Sequence, residues 1–77
     1  MLEIFNNALR NNDYYICLYD NKVYIYNYLE IINFNNNLIK VKVNDIKVII
    51  KGSNLHIRKL EAHELLIEGS IIGVFYE

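Results

Sequence analysis

The stretch that decides the fold is residues 50–76, IKGSNLHIRKLEAHELLIEGSIIGVFY. It holds two phrases in which apolar and polar side chains alternate up to a glycine, IKG-x-x-L-x-I and L-x-I-E-G-x-I. Alternation with a period of two is typical of a half-buried β-strand, and a glycine closing each phrase predicts a turn or bulge that a Cβ atom would obstruct. We therefore expect Gly52 and Gly69 to be backbone requirements of the fold and not ligand contacts.

The segment before this stretch, residues 38–51, predicts an antiparallel hairpin. Apolar residues alternate with lysines on both sides of Asn44-Asp45, a two-residue connection whose residue types tolerate the positive φ of a type I′ turn. One face of the hairpin is thus apolar and the other basic. The predicted inward residues of this hairpin and of the two glycine phrases are Ile39, Val41, Val48, Ile50, Ile57 and Ile67.

Polar clusters rich in Asn, Asp and Gly separate further apolar runs and read as turns. The predicted strands are residues 14–19, 23–28, 30–34, 38–43, 46–51, 55–60, 64–69 and 71–76. Residues 1–10 show apolar side chains at helical spacing, which predicts a short amphipathic helix. The expected organisation is a helix or arm over residues 1–12, followed by one all-β domain over residues 13–77. Its architecture is an antiparallel meander of seven or eight short strands, curled into a roll, sandwich or partly open barrel.

Size and composition restrict the possible functions. The chain has 77 residues, enough for one small core, and 53% of them are hydrophobic, which leaves apolar side chains for the surface. A net charge of −1 provides no long-range field that would attract nucleic acid or anionic lipid. Cys17 is the only cysteine, which excludes an intrachain disulfide and favours a reducing, cytoplasmic setting. Neither a signal peptide nor a membrane span is expected from the hydropathy pattern.

From Val23 onward the chain resembles the YabP/YqfC family of bacterial sporulation proteins. The resemblance lies in an aromatic-rich strand VYIYNY, a second strand EIINF, the runs IKVKV and IKVIIKG, and the two glycine phrases in this order. In the family, the aromatic strand is commonly followed by an Asn-containing segment and an ending of the type I-x-F. In this chain, Asn27 and Phe34 stand at these two places. The N-terminal section is shorter than is usual in the family.

The resemblance implies a small β protein without enzymatic activity that acts in the mother cell during sporulation. Relatives are encoded beside membrane proteins, so it also implies a membrane-protein partner and a cytoplasmic location at the periphery of a membrane. A homo-oligomer is compatible with these expectations. The family supplies no catalytic residue, metal ligand or cofactor to carry over.

The residues themselves also give no reason to expect catalysis, a metal or a cofactor. His56 and His63 could join a carboxylate in a metal site, but one lies outward on a predicted strand and the other in a predicted turn. Cys17 alternates with Tyr15 and Tyr19, a position that suits a small buried apolar side chain. Ser53 lies in a turn and lacks the G-x-S-x-G context of a nucleophile elbow.

An alternative reading is an Sm-like RNA-binding module. Such proteins begin with a short helix, continue as an antiparallel meander and carry an I-R-G phrase near their end, to which VIIKGSNLHI is similar. Tyrosines on one strand could stack bases while lysines of the hairpin meet phosphates. The earlier Sm signature is absent, however, and the net charge is negative. RNA binding therefore stays the second candidate.

The tyrosines of VYIYNY suggest where a protein partner binds. Val23 and Ile25 face one way, and the tyrosines between them face the other, so both faces of this strand are apolar or aromatic. They either pack at the rim of the small core or contact another protein. We expect the interface at Tyr24, Tyr26, Tyr28 and Ile49, with residues 71–76 as a candidate free edge of the sheet.

Overall fold

A computed structural model describes residues 13–77 of the protein. Its strands are β1 (Tyr15–Tyr19), β2 (Lys22–Tyr26), β3 (Glu30–Phe34), β4 (Leu38–Val43), β5 (Ile46–Leu60) and β6 (Glu64–Tyr76). The helix expected over residues 1–10, and the arm over 1–12, lie outside the described residues. Among residues 13–77, no helix has the length and hydrophobicity that a membrane span requires.

The six strands form one antiparallel sheet in the order β1-β2-β6-β5-β4-β3, which is not closed into a barrel. The all-β antiparallel prediction is thus confirmed, whereas a simple meander is wrong because β6 lies between β2 and β5. The predicted count of seven or eight strands is not confirmed within residues 13–77. In place of the four short strands expected after residue 45, the structure has two long strands, β5 with 15 residues and β6 with 13.

Each long strand runs on past its glycine, because a residue without a side chain lets β5 and β6 bend at the same point. A Cβ atom on Gly52 would lie 2.2 Å from the carbonyl oxygen of Ser70. Gly69 has a φ of 152°, and a Cβ atom there would lie 2.8 Å from the carbonyl oxygen of Asn54. The register between the strands shifts at this point, and Asn54 itself adopts a positive φ of 55°. Both glycines are therefore backbone requirements, Gly69 through its φ and Gly52 through close approach alone.

The bend divides the sheet into two halves. The β1–β2 half contains β1, β2, residues 64–68 of β6 and residues 56–60 of β5. The β3–β4 half contains β3, β4, residues 46–51 of β5 and residues 71–76 of β6. Because only β5 and β6 run through both halves, the angle between the halves is set at the bend.

A short crossover shows that the sheet folds over at the bend. The chain leaves β2 at Tyr26, at the far end of one half, and enters β3 at Glu30, at the far end of the other. In a flat sheet the far ends would lie about 40 Å apart along the strands, at roughly 3.3 Å per residue. Four residue steps span at most about 14 Å. Asn27 donates its N–H to the His63 carbonyl, and Leu29 donates to that of Lys42, so the crossover joins both halves.

The core lies on the inner face of this folded sheet. Five of the six predicted inward residues are fully buried, and the sixth, Ile57, is partly buried against them, so the predicted register is confirmed. The Asn44-Asp45 connection is a two-residue turn as expected, but only Asn44 has a positive φ, which does not fit type I′. The buried core consists of Val23, Ile25, Ile39, Val41, Val43, Val48, Ile50, Leu55, Leu65 and Ile67.

Beside the bend, Glu68 links three strands on the outer face. Its carboxylate accepts hydrogen bonds from Arg58 Nη1 at 2.9 Å and from His56 Nε2 at 3.1 Å, and Lys22 Nζ lies 3.3 Å away. The bonds from Arg58, then those from His56 and Lys22, lower the pKa of Glu68 to about 2. The residue that precedes Gly69 is therefore held in its charged form.

We predict that Gly52→Ala and Gly69→Ala each lower the free energy of unfolding by about 2 kcal/mol or more, because each methyl group collides with backbone and Gly69 also has a φ that L-residues avoid. Denaturant titration followed by circular dichroism measures this. Gly73→Ala is the matched control, since its Cβ would meet only the ring of Phe75, which can move. A loss at Gly73 as large as at the other two would contradict this account of the bend.

We predict a loss of stability in acid that depends on Glu68. A carboxyl group whose pKa is lowered in the folded state stabilises the protein above the unfolded pKa, roughly 4.3, and this stabilisation is lost as the pH falls towards about 2. Glu68→Gln should therefore flatten the dependence of the unfolding midpoint on pH in this window, and Arg58→Ala should shift it to higher pH. An unchanged acid profile in Glu68→Gln would show that another group is responsible.

Candidate protein-binding surface

Aromatic side chains cover the outer face of the β1–β2 half. Tyr24 and Tyr26 alternate along β2 with the fully buried Val23 and Ile25, so they point away from the core. The register of the β1–β2 hairpin, whose Asp20-Asn21 turn connects Tyr19 to Lys22, brings further side chains beside them. We call this surface the tyrosine face; it comprises Tyr15, Cys17, Tyr24, Tyr26 and Leu66.

The rings of the tyrosine face contact one another. Tyr15 stacks on Tyr26 with ring centres 5.3 Å apart and planes 20° apart, and its ring centre lies 5.9 Å from that of Tyr24. Tyr24 donates its hydroxyl hydrogen to Glu64 Oε1 at 2.5 Å, across the pair of strands β2 and β6. All five members of the face are half-buried. The face is therefore an ordered aromatic surface that is still open to a ligand or partner.

Two pKa shifts accompany the bond between Tyr24 and Glu64. Burial, followed by the hydrogen bond to Glu64 and its negative charge, raises the pKa of Tyr24 well above its usual range. The hydrogen bond from Tyr24, and then the charge of Lys59, lower the pKa of Glu64. The phenol thus stays protonated and the carboxylate ionised around neutral pH, which keeps this hydrogen bond charge-assisted.

Tyr28 does not share the face of Tyr24 and Tyr26. β2 ends at Tyr26, and Asn27 has a φ of 67°, which turns the chain into the crossover. The ring of Tyr28 packs against the core, and its hydroxyl donates to the Glu61 carbonyl at 2.8 Å. The expectation that three tyrosines share one surface is therefore wrong for Tyr28, because the left-handed residue breaks the alternation of the strand.

Ile49 lies on the other half of the sheet. It is opposite Lys40 on β4 and Phe75 on β6, and it is half-buried on their outer face. Lys51 Nζ lies 5.2 Å from the centre of the Phe75 ring, a cation–π contact. We call this second surface the lysine face; it comprises Lys40, Lys42, Lys47, Lys51, Ile49 and Phe75.

The structure does not bring the tyrosines and lysines of the RNA-binding hypothesis together. β2 and β4 are separated by β6 and β5 in the sheet, about 14 Å at the usual strand spacing. In addition, Lys40 forms an ion pair with Glu77 at 3.4 Å, and Lys51 contacts Phe75. A base stacked on Tyr24 would therefore not have its own phosphate beside these lysines.

The remaining candidate residues lie apart from one another. His56 is next to Glu68 near the bend, whereas His63 is exposed in the turn between β5 and β6, about 13 Å further along the hairpin. Among residues 13–77, no three His, Cys, Asp or Glu side chains form a group that could hold a metal ion. Cys17 lies opposite Tyr24 on the tyrosine face, half-buried and outside the core, contrary to the expected buried position.

Three members of the surface were not predicted as interface residues: Tyr15, Cys17 and Leu66. The signal for the first two was present in the sequence, because the two-residue Asp20-Asn21 turn fixes the register that places Tyr15 opposite Tyr26. Leu66 and the role of Glu64 could not be found in this way. They depend on the pairing of β6 with β2, two strands that are distant in the sequence.

Comparisons with known proteins identify the family. A family model described as the YabP family matches residues 11–77, which include every described strand. No curated protein and no solved structure gives a match. The match agrees with the resemblance carried by the aromatic strand and the two glycine phrases, and the name of the family points to a role in sporulation. The chain belongs to the YabP family.

Proposed function

We propose that the protein is a non-enzymatic sporulation factor that binds another protein through its tyrosine face. The observation that carries the proposal is the half-buried aromatic surface on the side of the sheet opposite the core. A tyrosine ring offers a large apolar contact and a polar tip, and it has few side-chain torsions to immobilise on binding. The stacking of Tyr15 on Tyr26 and the bond from Tyr24 to Glu64 order the surface in advance.

The electrostatics of the tyrosine face support binding over catalysis. General acid–base catalysis needs a group whose pKa lies near the working pH. The pKa of Tyr24 is raised and that of Glu64 is lowered, so both shifts move away from neutrality. The pair is suited to fixing a side chain in place and poorly suited to exchanging its proton.

A membrane protein of the mother cell is the partner that we propose. Relatives that the chain resembles are encoded beside membrane proteins, and a near-neutral β domain has no strong field with which to bind lipid directly. The protein would then be cytoplasmic and reach the membrane surface through this partner. The bordering carboxylates of Glu64 and Glu68 are already bound by Tyr24 and Arg58, so the apolar contacts of the rings favour a partner segment with apolar side chains.

We predict that Tyr24→Ser with Tyr26→Ser abolishes co-purification with a membrane protein of the mother cell, while the β circular dichroism is retained. The two side chains point away from the core, so the fold tolerates the change but the partner loses its aromatic contacts. The matched control is Leu29→Ser with Phe34→Ser, which removes exposed apolar side chains outside the tyrosine face. The control should co-purify normally.

Complementation in a spore-forming host gives the second readout of the same variants. A strain lacking the gene should regain heat-resistant spores with the Leu29/Phe34 control and not with the Tyr24/Tyr26 variant. Full rescue by the Tyr24/Tyr26 variant would contradict the proposal. A salt-dependent complex with single-stranded RNA that disappears in the same variant would instead favour the RNA-binding function.

A further inference from the structure

The last part of β6 leaves one side of its backbone without a partner strand among residues 13–77. Lys47 and Glu77 donate N–H groups to each other's carbonyls at 3.0 and 2.8 Å, so they form a mutually hydrogen-bonded pair. Hydrogen-bonded and non-bonded pairs alternate in an antiparallel ladder. The N–H and C=O groups of Tyr76 and Val74 therefore point away from β5. β2 pairs with β6 only between Glu64 and Glu68 and does not cover this edge.

This edge lacks the devices by which the free edges of β5 and β3 avoid pairing. The outer edge of β5 carries Arg58 and Lys59 beside a register shift, and β3 has a register shift between Ile31 and Asn33. By contrast, the pairing of β6 with β5 is regular from Gly73 to Tyr76, and that segment carries no charge. An uncharged, regular strand with free backbone groups is a template for another strand.

We propose that this edge pairs with the same edge of a second copy of the chain, which joins the two sheets across a two-fold axis. With the axis at Phe75, Val74 of each copy lies opposite Tyr76 of the other, and each such pair exchanges both N–H···O bonds. Phe75 then faces Phe75 of the second copy on the outer surface. The ring is 47% exposed in the single chain and becomes covered in the dimer.

Charge complementarity indicates that the strand that pairs with this edge belongs to a second copy of the chain. In this register Glu77 of one copy lies opposite Gly73 of the other, and Lys51 lies directly behind Gly73 on β5. The ring of Phe75 lies over Gly73, and Lys51 Nζ lies 5.2 Å from the centre of that ring, so Lys51 and Glu77 of the second copy can approach each other across the ring. The two-fold axis repeats this pair, so each copy supplies one lysine and one glutamate. The tyrosine face lies on the other half of the sheet and stays free.

Placing a charge of either sign at position 75 tests the dimer. We expect sedimentation equilibrium of the full chain to show a mass approaching twice 9.2 kDa as concentration rises. Phe75→Lys and Phe75→Glu should each weaken the dimer at least about tenfold, since like charges then lie opposite each other. An equimolar mixture of the two variants should dimerise again, which a variant that merely failed to fold could not do.

Matched changes at other edges are the controls for this experiment. Phe34→Lys changes a phenylalanine that is 49% exposed on β3, and Leu18→Lys tests the uncharged edge of β1; both should dimerise normally. Hydrogen exchange provides a readout at the backbone, because the amides of Val74 and Tyr76 should become protected only in the dimer. A monomer at all concentrations, a dimer unaffected by the Phe75 charges, or unprotected amides in the dimer would each overturn the proposal.

Discussion

The structure depends on the close approach of two strands at one bend. At Gly52 the backbone of β5 comes so near to Ser70 of β6 that no side chain fits between them, and at Gly69 the chain takes a φ that other residues avoid. Leu55 is buried against both glycines. Without this bend, the far ends of the two halves would lie too far apart for the short crossover after β2. The inner face would then be left without cover.

The same bend sorts the outer surface into two faces of different chemistry. The tyrosine face is aromatic and bordered by carboxylates, whereas the lysine face is basic with a small apolar patch at Ile49 and Phe75. Neither face contributes side chains to the core, so packing of the core does not restrict which residues each face carries, and these residues can serve binding. A protein of 77 residues thereby has two separate surfaces on opposite halves of one sheet. We assign one to a protein partner and the edge beside the other to a second copy.

Local patterns in the sequence predicted the strands and their inward residues, because period-two alternation is imposed directly by burial of one face. The hairpin from Leu38 to Lys51 and the buried positions of the glycine phrases follow from it. The sequence pattern predicts that the two glycines end strands, whereas in the structure they lie inside β5 and β6. A glycine that ends a strand and one that bends it look alike in a single sequence, since the difference lies in what approaches from another strand.

The site was only partly predictable for the same reason. Alternation alone predicts the outward position of Tyr24 and Tyr26, whereas it misplaces Tyr28 because Asn27, with its positive φ, interrupts the alternation. The contact of Tyr24 with Glu64 spans 40 residues of sequence and depends on β6 entering the sheet beside β2. Such long-range pairing leaves no local signal. A resemblance to the family supplied the sporulation role, which composition and spacing could not.

Site-specific photocrosslinking in sporulating cells tests the central claim, that the tyrosine face binds a protein partner. A photoreactive phenylalanine analogue replaces Tyr26 in one strain and Phe34 in another; both positions are aromatic and accessible, but only Tyr26 belongs to the tyrosine face. We expect a single adduct with a membrane protein from position 26 and none from position 34. No adduct from position 26, or the same adduct from both positions, would contradict the claim.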